Sequence, residues 1–280
     1  MPKRFMRKSC ILLVFLLPCT SSLFAQRTGD LGIFGGVSYY IGDLNPGRQF
    51  FMPKPSFGLL YRYNMNHRLN LQIHYIHGKV EASDSKSNEN PTRNLNFNSS
   101  VDEAGVQFEV NFFEYFIGSK MHWWTPYIFG GTSVFFFKPY GNVNGSMVSL
   151  QPLGTEGQGS SFYPDRKPYN LYAFSIPFGI GLKVSLNKLF GIGAEWGMRK
   201  TNTDYLDDIS KTYYLNLATA NPAQVPPKAV ASDPTLSHNA GMQRGNSKNM
   251  DWYSFAGLTL VVKIRMLSKE RCLDHQREGH

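Results

Sequence analysis

Two short segments concentrate the side chains most capable of chemistry. GTEGQG sets Gly154, Gly157 and Gly159 around a single acid, Glu156, with Thr155 and Gln158 beside it. Glycine reaches positive φ and lets a backbone approach a partner closely. On its own such a segment reads as a mobile turn. TDYLDDIS carries Thr203, Asp204, Tyr205, Leu206, Asp207 and Asp208, with three carboxylates in five residues. Three carboxylates could hold calcium, but these lack the alternating oxygen spacing of an EF-hand loop. The better reading is a short helix that Asp204 caps, with Asp207 in its first turn, where the helix dipole favours negative charge. Leu206, Ile209 and Tyr213 then share one apolar face, suited to packing over a barrel mouth.

Six further charges, Arg62, Glu109, Lys183, Glu195, Arg199 and Lys263, each interrupt a stretch in which apolar residues take every second position. Side chains alternate faces along a strand, so these charges share the face opposite the apolar one. A buried unpaired charge is very costly, and the six are therefore expected to pair as a polar plug. Arg62, Glu109, Lys183 and Lys263 belong toward one end of it, with Glu195 and Arg199 higher. His74 points inward at mid-height and His77 lies near the outer rim. A lipid-modifying hydrolase would need a Ser or Asp nucleophile, a His base and an orienting acid within reach. No serine nucleophile motif accompanies either histidine, so His74 reads as a hydrogen-bonded filler. The chain has no CxxC, no HExxH and no phosphate-binding glycine loop. The expectation is no enzyme, no cofactor, no metal site and no small-molecule substrate.

The elements that position these residues are strands. In 172–183, Tyr172, Phe174, Ile176, Phe178, Ile180 and Leu182 alternate with Ala173, Ser175, Pro177, Gly179, Gly181 and Lys183. After Asn187 and Lys188 the pattern resumes: Phe190, Ile192, Ala194, Trp196 and Met198 alternate with Gly191, Gly193, Glu195, Gly197 and Arg199. One face is continuous, apolar and aromatic, as lipid contact requires. The other is glycine-rich and charged, as on the crowded inside of a small barrel. Alternation also marks 32–41, 56–63, 69–80, 101–112, 125–136 and 252–266, giving about eight strands. The fifth has apolar or small residues on both faces and no evident orientation. The polar stretch 81–100 reads as a loop, and 218–234, rich in Ala, Asn and Pro, as a mobile one. Connections after strands two, four and six are short, and the others are long. The pattern predicts an all-β fold, a transmembrane antiparallel up-and-down β-barrel with long external loops and short periplasmic turns. Eight strands enclose a space just wide enough for their own side chains, so no conducting pore is expected.

The N-terminus reads as a secretory signal. Lys3, Arg4, Arg7 and Lys8 precede an apolar core at 11–17, and Ser21, Ser22 and Ala25 lead to a cut before Gln26. The expected organisation is a cleaved signal at 1–25, an outer-membrane barrel at 26–266 and a polar tail at 267–280. Cys19 invites a lipoprotein reading, which Leu17 and Pro18 disfavour. With Cys10 and Cys19 removed, Cys272 is left alone and no internal disulfide can form. Loss of four signal charges lowers the net charge from +9 to +5. That excess is too diffuse to argue for nucleic acid, and basic residues facing lipid phosphate account for it.

PYIFGG at 126–131, LQPLGTEGQG at 150–159, IPFGIGLK at 176–183 and TDYLDDIS at 203–210 together resemble the PorG-like family of Bacteroidetes outer-membrane barrels. The family belongs to the type IX secretion system. The resemblance implies a structural role, anchoring a periplasmic ring of PorK-like lipoprotein and PorN-like protein to the outer membrane. Such a machine exports proteins that carry a C-terminal signal, for protease secretion or gliding. No catalytic residues come with the resemblance. Simple topology puts both signature loops outside the cell, so a periplasmic partner is expected at the aromatic turn 116–124, at Asn187 and Lys188, or at the tail with Lys269 and Arg271. The other function class is a stand-alone small barrel for adhesion or envelope stability.

Overall fold

A computed structural model describes residues 28–221 and 224–265. The signal segment with Cys10 and Cys19, and the tail with Lys269, Arg271 and Cys272, lie outside the described residues. Among those described, nine strands form, and eight of them close into a barrel. They are β1 (Thr28–Ile41), β2 (Lys54–Asn64), β3 (Leu69–Ser83), β4 (Asn96–Asn111), β5 (Trp124–Val143), β6 (Ser146–Ser149), β7 (Tyr172–Ser185), β8 (Phe190–Thr201) and β9 (Trp252–Arg265). β6 only folds back on the end of β5. The other eight pair antiparallel in sequence order, and β9 returns to β1 from Thr28 opposite Arg265 to Ile41 opposite Trp252. Closure removes the free edges that an open sheet would expose.

One end of the barrel carries the start of β1, the finish of β9 and the connections 65–68, 112–123 and 186–189. This is the turn end. The opposite, loop end carries 42–53, 84–95, 144–171 and 202–251.

The alternation fixes side-chain direction as expected. Ile176 is 59% exposed on the outer wall of β7, whereas Lys183 on its inner face is 2% exposed. Leu31, Ile33, Phe57, Leu59, Ile73, Phe108, Leu258 and Leu260 continue the exposed apolar wall. β5, which gave no orientation, turns Tyr127, Phe129, Phe135 and Phe137 inward. Small residues opposite make the space: a Cβ on Gly181 would meet the Tyr127 ring, and one on Gly197 the Phe129 ring. The β5–β7 ladder skips the positions opposite Ile176 and Pro177. Proline has no N–H to donate there.

Three expectations need correction. The polar stretch 81–100 is not all loop: β3 runs to Ser83 and β4 starts at Asn96. Phe97, Ser99 and Val101 keep the inward parity, so ladder hydrogen bonds and one buried face hold a segment whose outer face is polar. The 218–234 stretch contains a short helix, α2 (Pro227–Ser232), counting the one-turn helix Asp84–Ser87 as α1. Ala229 and Ala231 lie buried, since alanine packs closely and loses no side-chain entropy. The connection 112–123 is no shorter than 42–53. It folds into the turn end, where Tyr115 and Ile117 pack on Leu60 and Val261 as a stopper. Lys263 Nζ donates to the Ile117 carbonyl at 2.9 Å, and Gly118 N–H to Ser185 Oγ at 2.9 Å.

The main apolar core sits at the loop end. Phe97, Phe135, Phe137, Tyr253 and Phe255 from inside the barrel join Leu44, Leu150, Leu206, Ile209 and Ala231 from the loops.

Candidate functional site

Charged side chains gather at three levels. Near the turn end, Glu109 Oε2 accepts from Arg62 Nε at 2.7 Å, Lys183 Nζ at 2.5 Å and Asn70 Nδ2 at 3.2 Å. Arg62 also donates to Gln72 Oε1 at 2.9 Å and lies 3.9 Å from Asp30 Oδ2. Lys183 reaches Asn111 Oδ1 at 3.0 Å, with its ammonium 4.3 Å from the Tyr127 ring centre. Two expected members stand apart: Glu195 Oε2 accepts from Tyr127 OH at 2.8 Å, and Lys263 bonds the stopper carbonyl. Asp30 was outside the expected set because alternation is first legible at 32.

At mid-height, Arg199 Nε donates to Glu103 Oε1 at 3.4 Å, and His74 Nε2 lies 2.9 Å from the same oxygen. Tyr253 OH donates to Glu103 Oε2 at 2.5 Å, and Ser175 Oγ lies 3.1 Å from that hydroxyl. Glu103 shares its parity with Glu109 along β4, and that signal could have found it. The six expected charges therefore divide between two networks and two solitary contacts. His77 is on the outer wall, 2.7 Å from Asp102.

The third level is the loop-end cap, and here the two signature segments meet. Thr155 Oγ1 donates to Asp208 Oδ2 at 2.5 Å, and Tyr169 OH to Asp208 Oδ1 at 2.6 Å. Glu156 Oε1 accepts the Ser210 and Lys211 N–H groups at 2.8 and 2.9 Å, and Arg244 Nη1 at 3.1 Å. Arg244 also donates to the Asp208 carbonyl at 2.6 Å. Arg93 grips Asp84 with two bonds and donates to the Asp43 and Arg244 carbonyls. GTEGQG is thus a buried clasp and not a free turn. Its glycines do take positive φ, at 58°, 82° and 70°. Gln158 Oε1 accepts from Glu156 N–H at 2.9 Å, and Arg166 ties the Glu156 carbonyl to Thr212.

TDYLDDIS forms no helix, and Asp204 caps none. Three successive backbone donors from Ile209 onward go to carboxylates: Ile209 N–H to Asp207 Oδ1 at 2.9 Å, and the Ser210 and Lys211 N–H groups to Glu156. Side chains of this kind compete with helical hydrogen bonds. Leu206, Ile209 and Tyr213 are buried, as the expected packing over the mouth requires, but not on a shared helical face. Tyr205 stacks on Tyr169 at 4.5 Å.

Burial pushes the Asp204 carboxyl up to about 8, aided by the nearby acids Asp43 and Glu156. Burial also raises Asp208 to about 6, against the opposing pull of Arg244, Thr155 and Tyr169. Among the described residues, no group of three or more His, Cys, Asp or Glu side chains has the arrangement of a metal site. Arg244 carries no signal in the sequence, because it lies in a Gly- and Asn-rich loop without periodicity.

The family described as Domain of unknown function (DUF6089) matches residues 7–150, just over half of the chain. No curated protein matches. Among solved structures, Ail of Yersinia pestis, in complex with the heparin analogue sucrose octasulfate, is 10% identical with a TM-score of 0.42. The match covers 86% of this chain and 100% of that one. The N-terminal β-barrel domain of Pseudomonas aeruginosa OprF is 12% identical, with a TM-score of 0.37, over 85% of this chain and 98% of that one. Neisserial surface protein A is 8% identical, with a TM-score of 0.37, over 86% and 98% respectively.

Proposed function

From the premise that this chain belongs to the DUF6089 family, a domain of unknown function, we propose a structural, non-enzymatic role as an integral barrel of the outer membrane of a Gram-negative bacterium. The observation that carries the reading is the inverted burial of the wall: isoleucine, leucine and phenylalanine outside, paired charges inside. In water that arrangement would leave a large apolar surface exposed, which soluble monomers avoid. In a bilayer it is the stable one.

The borders of the apolar belt agree. Phe113, Trp123 and Trp124 cluster at the turn end, with ring centres 5.2 and 6.2 Å apart. Lys79, Ser100 and Lys138 form one outward row across β3, β4 and β5 toward the loop end. Aromatic girdles and basic residues suit the two sides of a membrane interface. A transmembrane strand needs about 9–11 residues, and β5 has 20, so its excess stands beyond the membrane with the cap.

Among the described residues, interior networks, the stopper and the cap occupy the barrel at its middle and both ends, and the role fits a self-contained barrel for adhesion or envelope stability. Reconstitution in planar bilayers tests the filled interior. No conductance steps are expected, and regular steps would sink the reading.

A second reading, favoured by the four PorG-like segments, makes the barrel an anchor for the periplasmic ring of a type IX secretion machine. The turn end offers apolar contact surface for it: Met121 is 86% exposed, and Leu186 and Leu189 at the same end are exposed as well. Replacing 116–124 would remove the Ile117 stopper, so Met121→Ser with Leu186→Ser and Leu189→Ser is the cleaner probe. Loss of ring co-purification, with loss of export of C-terminally signalled cargo on gene deletion, favours the anchor. Normal export with only a surface-binding or envelope defect favours the self-contained barrel.

A further inference from the structure

The cap is built one hydrogen short. Tyr40, fully buried near the loop end of β1, sets its hydroxyl 2.5 Å from Asp207 Oδ2 and 2.8 Å from Asp251 Oδ1. The second oxygen of each acid is already occupied. Asp207 Oδ1 accepts Ile209 N–H at 2.9 Å, and Asp251 Oδ2 accepts Leu206 N–H at 2.9 Å. A phenol carries one hydrogen and can donate to only one of the two acids. With both ionised, the other contact would hold an oxygen lone pair against a carboxylate in a buried core. One added proton resolves it. One acid then donates to Tyr40, Tyr40 donates to the other acid, and all four carboxylate oxygens are matched.

Among the described residues, the surroundings supply no uncommitted cation. From 42–53, Asp43 faces the pair, its Oδ2 taking the Asn246 N–H at 2.8 Å. Asp204, in the 202–251 loop with both acids, faces Asp251. Arg93 from 84–95 reaches toward Asp207, but its fork is committed to Asp84. Arg244 is committed to Glu156, from 144–171, and to Asp208. From β4 the apolar Phe97 ring packs 4.8 Å from the Tyr40 ring. Burial accordingly lifts Asp207 and Asp251 well above the usual carboxylate range. Asp208 differs, because Thr155 and Tyr169 each bring it a hydrogen.

We propose that the cap is a proton-held latch: a proton shared among Tyr40, Asp207 and Asp251 ties the 202–251 loop to β1, and its loss as external pH rises releases that loop from the barrel mouth. The latch stands whether the barrel works alone or within a machine.

Hydrogen exchange on the full chain in detergent micelles, corrected for intrinsic pH dependence, reads the Leu206 and Ile209 amides directly. Their protection should fall about tenfold or more between about pH 5 and about pH 9, while β8 and β9 amides hold theirs. Asp251→Asn and Asp207→Asn each supply the missing hydrogen permanently, the amide oxygen taking the backbone N–H and the NH2 facing Tyr40. In either variant the fall should shrink to about threefold or less, the remainder coming from Asp204 and Asp208. Equal wild-type protection at both pH values, or an undiminished fall in whichever variant folds, overturns the latch.

Discussion

The turn-end network and the loop-end cap are both buried and charged, yet they balance charge by different means. At the turn end, Arg62 and Lys183 meet Asp30 and Glu109, two cations for two acids. In the cap, Arg93 and Arg244 face Asp43, Asp84, Glu156, Asp204, Asp207, Asp208 and Asp251. The first region balances its charges within itself. The second keeps its acids buried by taking hydrogens from hydroxyls, from backbone N–H groups and from protons. A network inside a strand wall can be neutral and permanent, whereas a cap made of loops can depend on pH.

The largest effect that would sharpen this contrast comes from Glu109→Gln. It leaves Arg62 and Lys183 without their shared carboxylate, and breaking one side of a buried pair costs about 3–5 kcal/mol. The folded, unheated band on a gel should be lost at lower urea in the variant. An unchanged midpoint would mean water already serves both cations. Arg244→Met should cost less, about 2–3 kcal/mol, because loops can relax and admit water to Glu156 and Asp208. It should raise proteolysis at Lys211 while leaving the barrel transition in place. A shift of the barrel transition would break the distinction between the regions.

Asp204→Asn has the opposite sign. The Asp204 carboxyl is raised to about 8 in the folded cap. Its stabilising contribution is therefore complete below the ordinary value of about 4 and is lost as pH rises through about 8. The variant should resist proteolysis at Lys211 better than wild type at about pH 9, by about 1 kcal/mol, and equally at about pH 4. Smallest is Lys263→Met, which removes a single bond to the Ile117 carbonyl and should cost about 0.5–1 kcal/mol in the urea midpoint.

Legibility in the sequence followed the strands. Two-residue periodicity gave the direction of Arg62, Glu109 and Lys183, and the same parity points to Glu103. It failed where both faces are apolar, as in β5, since alternation cannot choose between two greasy faces. It failed again where the outer face is polar, as at 96–100, because ladder pairing and one buried face sustain the strand there without an apolar wall. In the cap it misled. TDYLDDIS has the composition of a capped helix, but Asp207 and Glu156 take the backbone donors of Ile209, Ser210 and Lys211.

The sequence by itself determined the barrel: strand number, inward charge and outward hydrocarbon all follow from side chains alternating about a pleated backbone. Only the tertiary structure decided which charges pair, that the aromatic turn is a stopper, and that GTEGQG and TDYLDDIS clasp each other. Thr155 and Asp208 are 53 positions apart, and Tyr40 and Asp207 are 167 apart. No local rule spans such separations, because contacts between loops are set by closure of the barrel that carries them.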